Sequence, residues 1–192
     1  MELTPDEEQM ARRAVAAFGG SDRVQLSVFT DHDDAHGVVL IECGDAPAKG
    51  VTTTTTLTAH RSPNLVGEAD LRVEVLGMAR DGQEDLSLVI GAAGLVVVAR
   101  GVPVSPGVVL LGLVTHYLPE LEMPHLYLTA PAPFPDLGAV ELDADTTVHW
   151  LMGFPIHPSE AEHISQAGPD AFEQLLEARA VPVWDLHRPP VV

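Results

Sequence analysis

Acidic and histidine side chains are most concentrated in the short segment DHDDAH, which begins at Asp31. Carboxylates and imidazoles are ligands for divalent cations, so His32 and His36 together with Asp31, Asp33 and Asp34 could bind such an ion. Residue types alone do not provide the closed coordination geometry of a metal site. We favour the other interpretation, a solvated acidic loop whose three aspartates form a negative patch and are the candidate contacts for a partner.

Histidines recur in the C-terminal half of the chain, but their spacing matches no metal-binding motif. None of the intervals reproduces H-E-x-x-H or a related pattern. Glycines occur singly or as a GG pair, without a P-loop or a G-x-G-x-x-G sequence, so nucleotide binding has no support. We therefore expect neither a metal nor a cofactor. The histidines in question are His116, His125, His149, His157, His163 and His187.

Possible nucleophiles are present without the surroundings that would activate them. Ser105, Ser159 and Ser165 all lie outside G-x-S-x-G or an equivalent strained turn. Cys43 follows an apolar run and has no basic neighbour, so we expect it to pack as a small hydrophobic residue. The sequence thus predicts no catalytic residue and a protein that is not an enzyme. The alternative is a small metal-dependent or esterase-like hydrolase that uses the histidine-rich C-terminal half.

The charge of the chain limits its partners. With 28 acidic and 10 basic residues, the formal net charge is −18, which repels the phosphate backbone of nucleic acids. Nucleic acid is therefore excluded as a partner, whereas a protein with a basic surface would be attracted. These counts leave the oligomeric state undetermined.

Length and hydropathy indicate a globular, cytoplasmic protein. A chain of 192 residues, 46% of them hydrophobic, is long enough for one core, and we predict a single domain over residues 1–192. The longest nearly continuous apolar stretch, Leu86 to Ala99, is shorter than the roughly 20 residues that span a bilayer. The N-terminal MELTPDEEQMARR lacks the basic start and apolar middle of a signal peptide. A single cysteine excludes an intrachain disulfide.

The elements that would position these residues begin with a well-marked helix. Thr4 and Glu7 have the spacing of a capping box, Pro5 fits the first helical position, and Gly19 provides an exit. Strands are predicted on either side of the acidic loop. Five consecutive threonines at 52–56 predict a further strand with one solvated polar side. In the next strand, LRVEVLGM, apolar residues alternate with Arg72 and Glu74, which indicates an amphipathic strand.

The second half of the chain continues the alternation of helices and strands. A buried helix is predicted over 83–100 with Asp81 as its N-cap, followed by strands at VVLLGLV, 125–129 and 138–142. VHWLMGFPI contains Trp150 and has no polar face, which is typical of a strand covered on both sides. A helix follows from Pro158, with Glu160 near its positive end, and a second helix restarts at Pro169. VPVWDLHR is predicted to be extended.

The order of these segments resembles the Suppressor of fused-like domain family. The match consists of LRVEVLGMAR, an apolar helix ending in VARG, VPVSPGVVLLGLV, MPHLYLTAP, VHWLMGFPIHPSEAEH, DAFEQLLE and WDLHR. Each motif alone is weakly specific for the family. Their order is more specific, as is the strand–Pro–helix sequence with acids at Glu160 and Glu162. The resemblance is clearest over residues 50–188.

The resemblance implies an α+β fold, a single domain with a mixed, largely antiparallel β-sheet packed against helices, and no catalytic activity. Animal members of the family are similar to a cytoplasmic protein that sequesters a transcription factor. Bacterial members look like immunity proteins encoded beside polymorphic toxins. The resemblance thus predicts a bacterial, non-enzymatic protein that neutralises a cognate toxin by direct binding, and the charge predicts a toxin domain with a basic surface.

Overall fold

Ten strands and five α-helices are present in the computed structural model, which describes residues 2–20, 22–83 and 85–192. The strands are β1 (Val24–Thr30), β2 (Gly37–Gly44), β3 (Val51–Thr56), β4 (Leu65–Val66), β5 (Ala69–Asp70), β6 (Arg72–Arg80), β7 (Val109–Leu110), β8 (His125–Thr129), β9 (Val140–Glu141) and β10 (Thr147–Ile156). The helices are α1 (Pro5–Ala17), α2 (Leu86–Arg100), α3 (Leu113–Tyr117), α4 (Pro158–Ala167) and α5 (Pro169–Ala178), with a short 3-10 helix at Ala59–Arg61.

Most strands join one mixed sheet. Its order in the described part of the chain is β1-β2-β3-β6-β10-β8-β7, and β9 pairs with the start of β10. Pairing is antiparallel except between β6 and β10, which are parallel. β4 and β5 form a separate hairpin. The predicted fold class, α+β with a mixed and largely antiparallel sheet, is confirmed.

One face of the sheet is covered by α2. Ile90 and Val97 of this helix lie in a buried cluster with Val75 and Leu151 of the central strands. α2 approaches the sheet closely at Gly91, where an added Cβ would stand 2.5 Å from the Cγ of Phe29. None of the described helices has the length and apolarity required to cross a bilayer, and α2 is the longest of them with 15 residues.

The opposite face is covered by α1, α4 and α5. Met10 of α1, Ile164 of α4 and Phe172 of α5 share a buried cluster with Trp150 and Met152 of β10. β10 is thus covered on both sides, as the apolar run VHWLMGFPI predicted.

The predicted N-terminal helix is confirmed with its cap. Glu7 donates its backbone N–H to Thr4 Oγ1 at 3.4 Å, and the Thr4 N–H donates to Glu7 Oε2 at 2.6 Å. Pro5 is the first helical residue, where it has no hydrogen bond to lose. At the other end the Phe18 N–H donates to Ala14 O.

The prediction that the threonine strand has one solvated side is wrong. β3 lies between β2 and β6, and its five threonines are all buried, at most 8% exposed. Their hydroxyls find partners inside the protein instead of water. Thr53 donates to Ala46 O at 2.5 Å, Thr54 donates to Glu42 Oε1 at 3.3 Å, and Thr52 donates to Asp81 Oδ1 at 3.0 Å. Threonine therefore keeps its strand preference here while satisfying buried hydrogen bonds.

Three boundaries also differ from the sequence predictions. α2 begins at Leu86 after Asp85, not near Asp81; Glu84, inside the predicted range, lies outside the described residues. VVLLGLV is not one strand, because Gly112 adopts a φ of +71° and α3 starts directly after it. VPVWDLHR is not extended. It forms successive turns, in which Asp185 N–H donates to Pro182 O.

Candidate partner-binding surface

The three candidate aspartates lie together in the loop between β1 and β2. The Asp31 carboxylate accepts the Ala35 N–H at 2.8 Å and lies 2.9 Å from His36 Nδ1. Asp34 accepts a hydrogen bond from the Thr30 hydroxyl at 2.7 Å and has a φ of +53°, a left-handed conformation that aspartate tolerates. The loop is therefore ordered by two of its own carboxylates.

The carboxylates of this acidic loop differ in their surroundings. The hydrogen bond with His36 is the main reason why the pKa of Asp31 lies below its usual value, although burial acts in the opposite direction. Asp33 is exposed and makes no hydrogen bond or ion pair with any residue that the structure describes. Asp33 is thus the carboxylate of the loop that is most available to an external cation.

More carboxylates lie near the start of β1, at the same edge of the sheet. Arg23 Nη1 lies 3.3 Å from both Asp45 Oδ2 and Asp81 Oδ2, and hydrogen bonds to these two groups raise the pKa of the guanidinium. Asp22 is exposed beside this cluster. Both ends of β1 are therefore flanked by acidic side chains.

An apolar cleft of about 590 Å³ lies at the other half of the sheet. It lies where β10 has no neighbour on one side, because pairing with β9 ends at Val148 and pairing with β8 starts at Met152. Phe134 and Pro131 form part of its wall. The indole Nε1 of Trp150, which also lines the cleft, is buried without a hydrogen-bond partner in the described structure.

The cleft has little of the chemistry that a hydrolase requires. Ser105 and His149 both line it, but none of the described lining residues is an aspartate, glutamate or cysteine. A histidine that activates a serine nucleophile is commonly oriented by a third group, such as a carboxylate, and no carboxylate is among the described residues that line the cleft.

Two buried carboxylates that the sequence analysis did not identify as paired are structural. Glu160 is fully buried and forms a two-point ion pair with Arg188, with Nη1–Oε1 and Nη2–Oε2 distances of 2.6 and 2.8 Å. It also accepts the backbone N–H groups of His157 and Val191 at 2.8 and 3.1 Å. With four donors on two oxygens, this carboxylate has no capacity left for a substrate.

Glu74 is the second of these two buried carboxylates. β6 was predicted to be amphipathic, with Arg72 and Glu74 on its polar side, but Glu74 is 0% exposed. It accepts the Thr56 hydroxyl, the Ala59 N–H at 3.2 Å and the His60 N–H at 3.1 Å, and His60 Nδ1 lies 2.5 Å from Oε1. The site closes the 3-10 helix against the sheet.

The remaining candidates are not brought together. The C-terminal histidines are dispersed; His157 is buried with Nε2 2.9 Å from Arg188 O, and His125 Nδ1 accepts the Gly112 N–H. Within the described residues no group of three or more histidine, cysteine or acidic side chains is placed to hold a metal. Cys43 is fully buried, and desolvation raises the pKa of its thiol to about 11, as suits a packing residue.

Comparison with known proteins shows which sequences this chain is similar to. Residues 32–189 match the family Suppressor of fused protein (SUFU). The chain is 25% identical over 195 residues to the protein named Immunity protein YqcF of Bacillus subtilis (strain 168), with 100% of both chains covered.

Solved structures agree in fold. A SUFU homolog from Neisseria gonorrhoeae FA 1090 superposes with a TM-score of 0.69 at 10% identity, covering 97% of each chain. A chain of the Sufu–Fu complex gives a TM-score of 0.69 at 10% identity, covering 99% of this chain and 93% of that one. Because the family match extends over most of the sequence, from His32 to Pro189, this chain belongs to the Suppressor of fused (SUFU) family.

Proposed function

We propose that this protein is an immunity protein that neutralises a cognate bacterial toxin by binding it directly. The observation that carries the proposal is the similarity to Immunity protein YqcF along the whole length of both chains, at 25% identity. In this role the protein acts in the cytoplasm of the cell that it protects. It requires no catalytic residue, metal or cofactor.

The electrostatics support a basic toxin surface as the partner. A formal charge of −18 produces an attractive field for a cationic domain, and such fields raise association rates by orders of magnitude. Asp31, Asp33 and Asp34 are the proposed contacts because they share one exposed loop. Asp33 is the strongest candidate among them, since its carboxylate has no internal role.

The proposal is tested by co-expression with the toxin encoded by the adjacent gene. We expect the protein to restore growth of cells that produce the toxin and to co-elute with a catalytically inactive toxin on size-exclusion chromatography. Failure of the wild-type protein to form this complex would contradict the proposal.

A pair of substitutions separates binding from the hydrolase alternative. Ser105→Ala and His149→Ala remove the two groups in the apolar cleft that resemble catalytic residues. Protection by both variants should equal that of the wild type, because occlusion needs no chemistry in the cleft. If either variant still binds the toxin but no longer protects, the hydrolase alternative replaces the immunity proposal.

A further inference from the structure

The edge strand β1 has an unusual composition for an exposed strand. Its sequence VQLSVFT contains no charge and no proline, the two devices with which proteins commonly protect sheet edges from pairing. β1 is the terminal strand of the sheet, and no described strand pairs with its outer side. Val24, Leu26 and Val28 are 44%, 39% and 54% exposed, respectively.

The three apolar side chains lie on one face. In the register of the hairpin, Leu26 is opposite Ile41 and Val24 is opposite Cys43, and cross-strand partners point to the same side of a sheet. Ile41 and Cys43 belong to the core that α1 covers, but β1 extends beyond that cover. An apolar stripe thus continues from the core to the open edge.

The backbone of the same residues is also available. The Gly44 N–H donates to Arg23 O at 2.9 Å and the Asp31 N–H donates to His36 O at 3.0 Å, one at each end of the hairpin. In antiparallel strands the hydrogen-bonded pairs alternate, so the odd residues of β1 bond to β2. The N–H and C=O groups of the even residues therefore point outward. These residues are Val24, Leu26, Val28 and Thr30.

We propose that β1 is the docking edge for the toxin, which adds a strand of its own to the sheet beside Val24–Thr30. The inference rests on the proposed function and names the surface through which it acts. Backbone hydrogen bonds would provide affinity, and the apolar stripe would provide the anchors. The acidic groups at both ends of β1, Asp33 at one end and Asp22 at the other, specify an incoming strand with apolar residues in its middle and lysine or arginine at its flanks.

A second copy of this chain fits the edge less well. Two β1 strands paired with each other would bring together two molecules that each carry a formal charge of −18. The acidic loop after one strand would then approach Asp22 before the other. Like charges at such a contact oppose association, whereas a basic strand neutralises them.

Amide hydrogen exchange of the isotope-labelled protein, free and bound to the inactive toxin domain encoded by the adjacent gene, tests the proposal at single residues. Binding should slow exchange at the outward amides of Val24, Leu26, Val28 and Thr30. Those of Gln25, Ser27 and Phe29, which already bond to β2, should change little. A complex in which the four outward amides exchange as fast as in the free protein would overturn the docking edge and leave the immunity role intact.

A proline substitution tests the backbone contribution separately. Leu26→Pro removes an outward N–H without removing a bond to β2, and prolines are tolerated at such edge positions. We expect it to weaken toxin binding at least about tenfold beyond the effect of Leu26→Ala, the loss expected for one hydrogen bond plus a steric block. Equal affinities of the two variants would contradict strand addition.

Three further results would overturn the proposal, and each points to a different alternative. No complex with the wild-type protein rejects the proposed function, and the inference with it. Slow exchange of the four amides in the free protein, together with a dimer by light scattering, would assign the edge to a second copy. Ala132→Arg places a charge at the exposed wall of the apolar cleft. Loss of binding in this variant, with the β1 variants unaffected, would move the toxin site to the cleft.

Discussion

Trp150 shows how far a single residue can be understood from its neighbours in sequence. It lies within the apolar run VHWLMGFPI, and its side chain is 3% exposed in the core between β10 and the helices, as predicted. The sequence could not show that its Nε1 would be buried without a hydrogen-bond partner among the described residues. That property depends on distant parts of the chain, including the segment between β8 and β9 that lines the adjacent cleft.

Trp150→Ala should lower the free energy of unfolding by about 3–5 kcal/mol, through lost transfer energy and the cavity that remains. Trp150→Phe is the matched control, because it retains an aromatic ring and removes the unpaired N–H. Its loss should be smaller. Urea denaturation monitored by circular dichroism measures both. An alanine variant within a few tenths of a kcal/mol of the wild type would contradict the central position of this strand.

The threonines of β3 and Glu74 show that a pattern of polar residues does not predict whether they face water or a buried partner. Alternation of polar and apolar side chains identifies two faces of a strand, but water and a buried partner satisfy a polar side equally well. Thr56 and Glu74 are 18 positions apart and meet only because β3 and β6 pair. A prediction from local sequence therefore found these strands and misassigned their environment.

Among the helices and strands, those whose sequence signals lie within a few residues of each other were predicted most accurately. The N-terminal helix was predicted with its cap because Thr4, Pro5 and Glu7 act on one another within a single turn. VVLLGLV was misassigned because Gly112, with its positive φ, ends the strand after two residues. The start of α4 was predicted from Pro158. Its attachment to the C-terminal segment was not, since Arg188 follows Glu160 by 28 residues.

Glu160→Gln should detach that segment and change the dependence of stability on pH. Burial alone would raise the pKa of Glu160, but hydrogen bonds from Arg188, His157 and Val191 and the charge of Arg188 hold it below the ordinary value of 4.5. A carboxylate with a lowered pKa stabilises the fold above its unfolded-state pKa. The contribution is lost as the pH falls through the lower, folded-state pKa, in the acidic range below about 4.5.

The variant should therefore be less stable near neutral pH by about 3–5 kcal/mol, the cost of leaving a buried Arg188 unpaired. It should also lose less stability than the wild type on acidification. Urea denaturation between pH 7 and pH 3 measures both effects. Glu162→Gln, at an exposed position of the same helix, is the control and should follow the wild type. Parallel pH profiles for all three proteins would show that the ion pair does not contribute.

For the whole molecule, the sequence shows that the net charge is negative, whereas the fold determines which surfaces carry the acidic side chains. Helices cover much of both faces of the sheet, whereas the outer side of β1 is unpaired among the described strands. The acidic loop and the uncharged strand β1 lie at the same edge, next to each other in sequence and space. The partition into a charged rim and an apolar centre resembles that of protein–protein interfaces, in which charges speed encounter and buried apolar residues hold the complex.

Association with the toxin domain should therefore slow as salt increases, while dissociation changes little. Stopped-flow measurements between about 0.05 and 0.5 M salt should show a fall in the association rate of at least about tenfold, because the screening length shortens from roughly 14 to 4 Å. Asp33→Asn should slow association at low salt, and the difference from the wild type should shrink at high salt. Glu177→Gln removes one charge from α5, which packs at the opposite end of the sheet beside Tyr127 of β8, and should have a smaller effect. A tight complex whose association rate is independent of salt would retain the binding role and reject its electrostatic explanation.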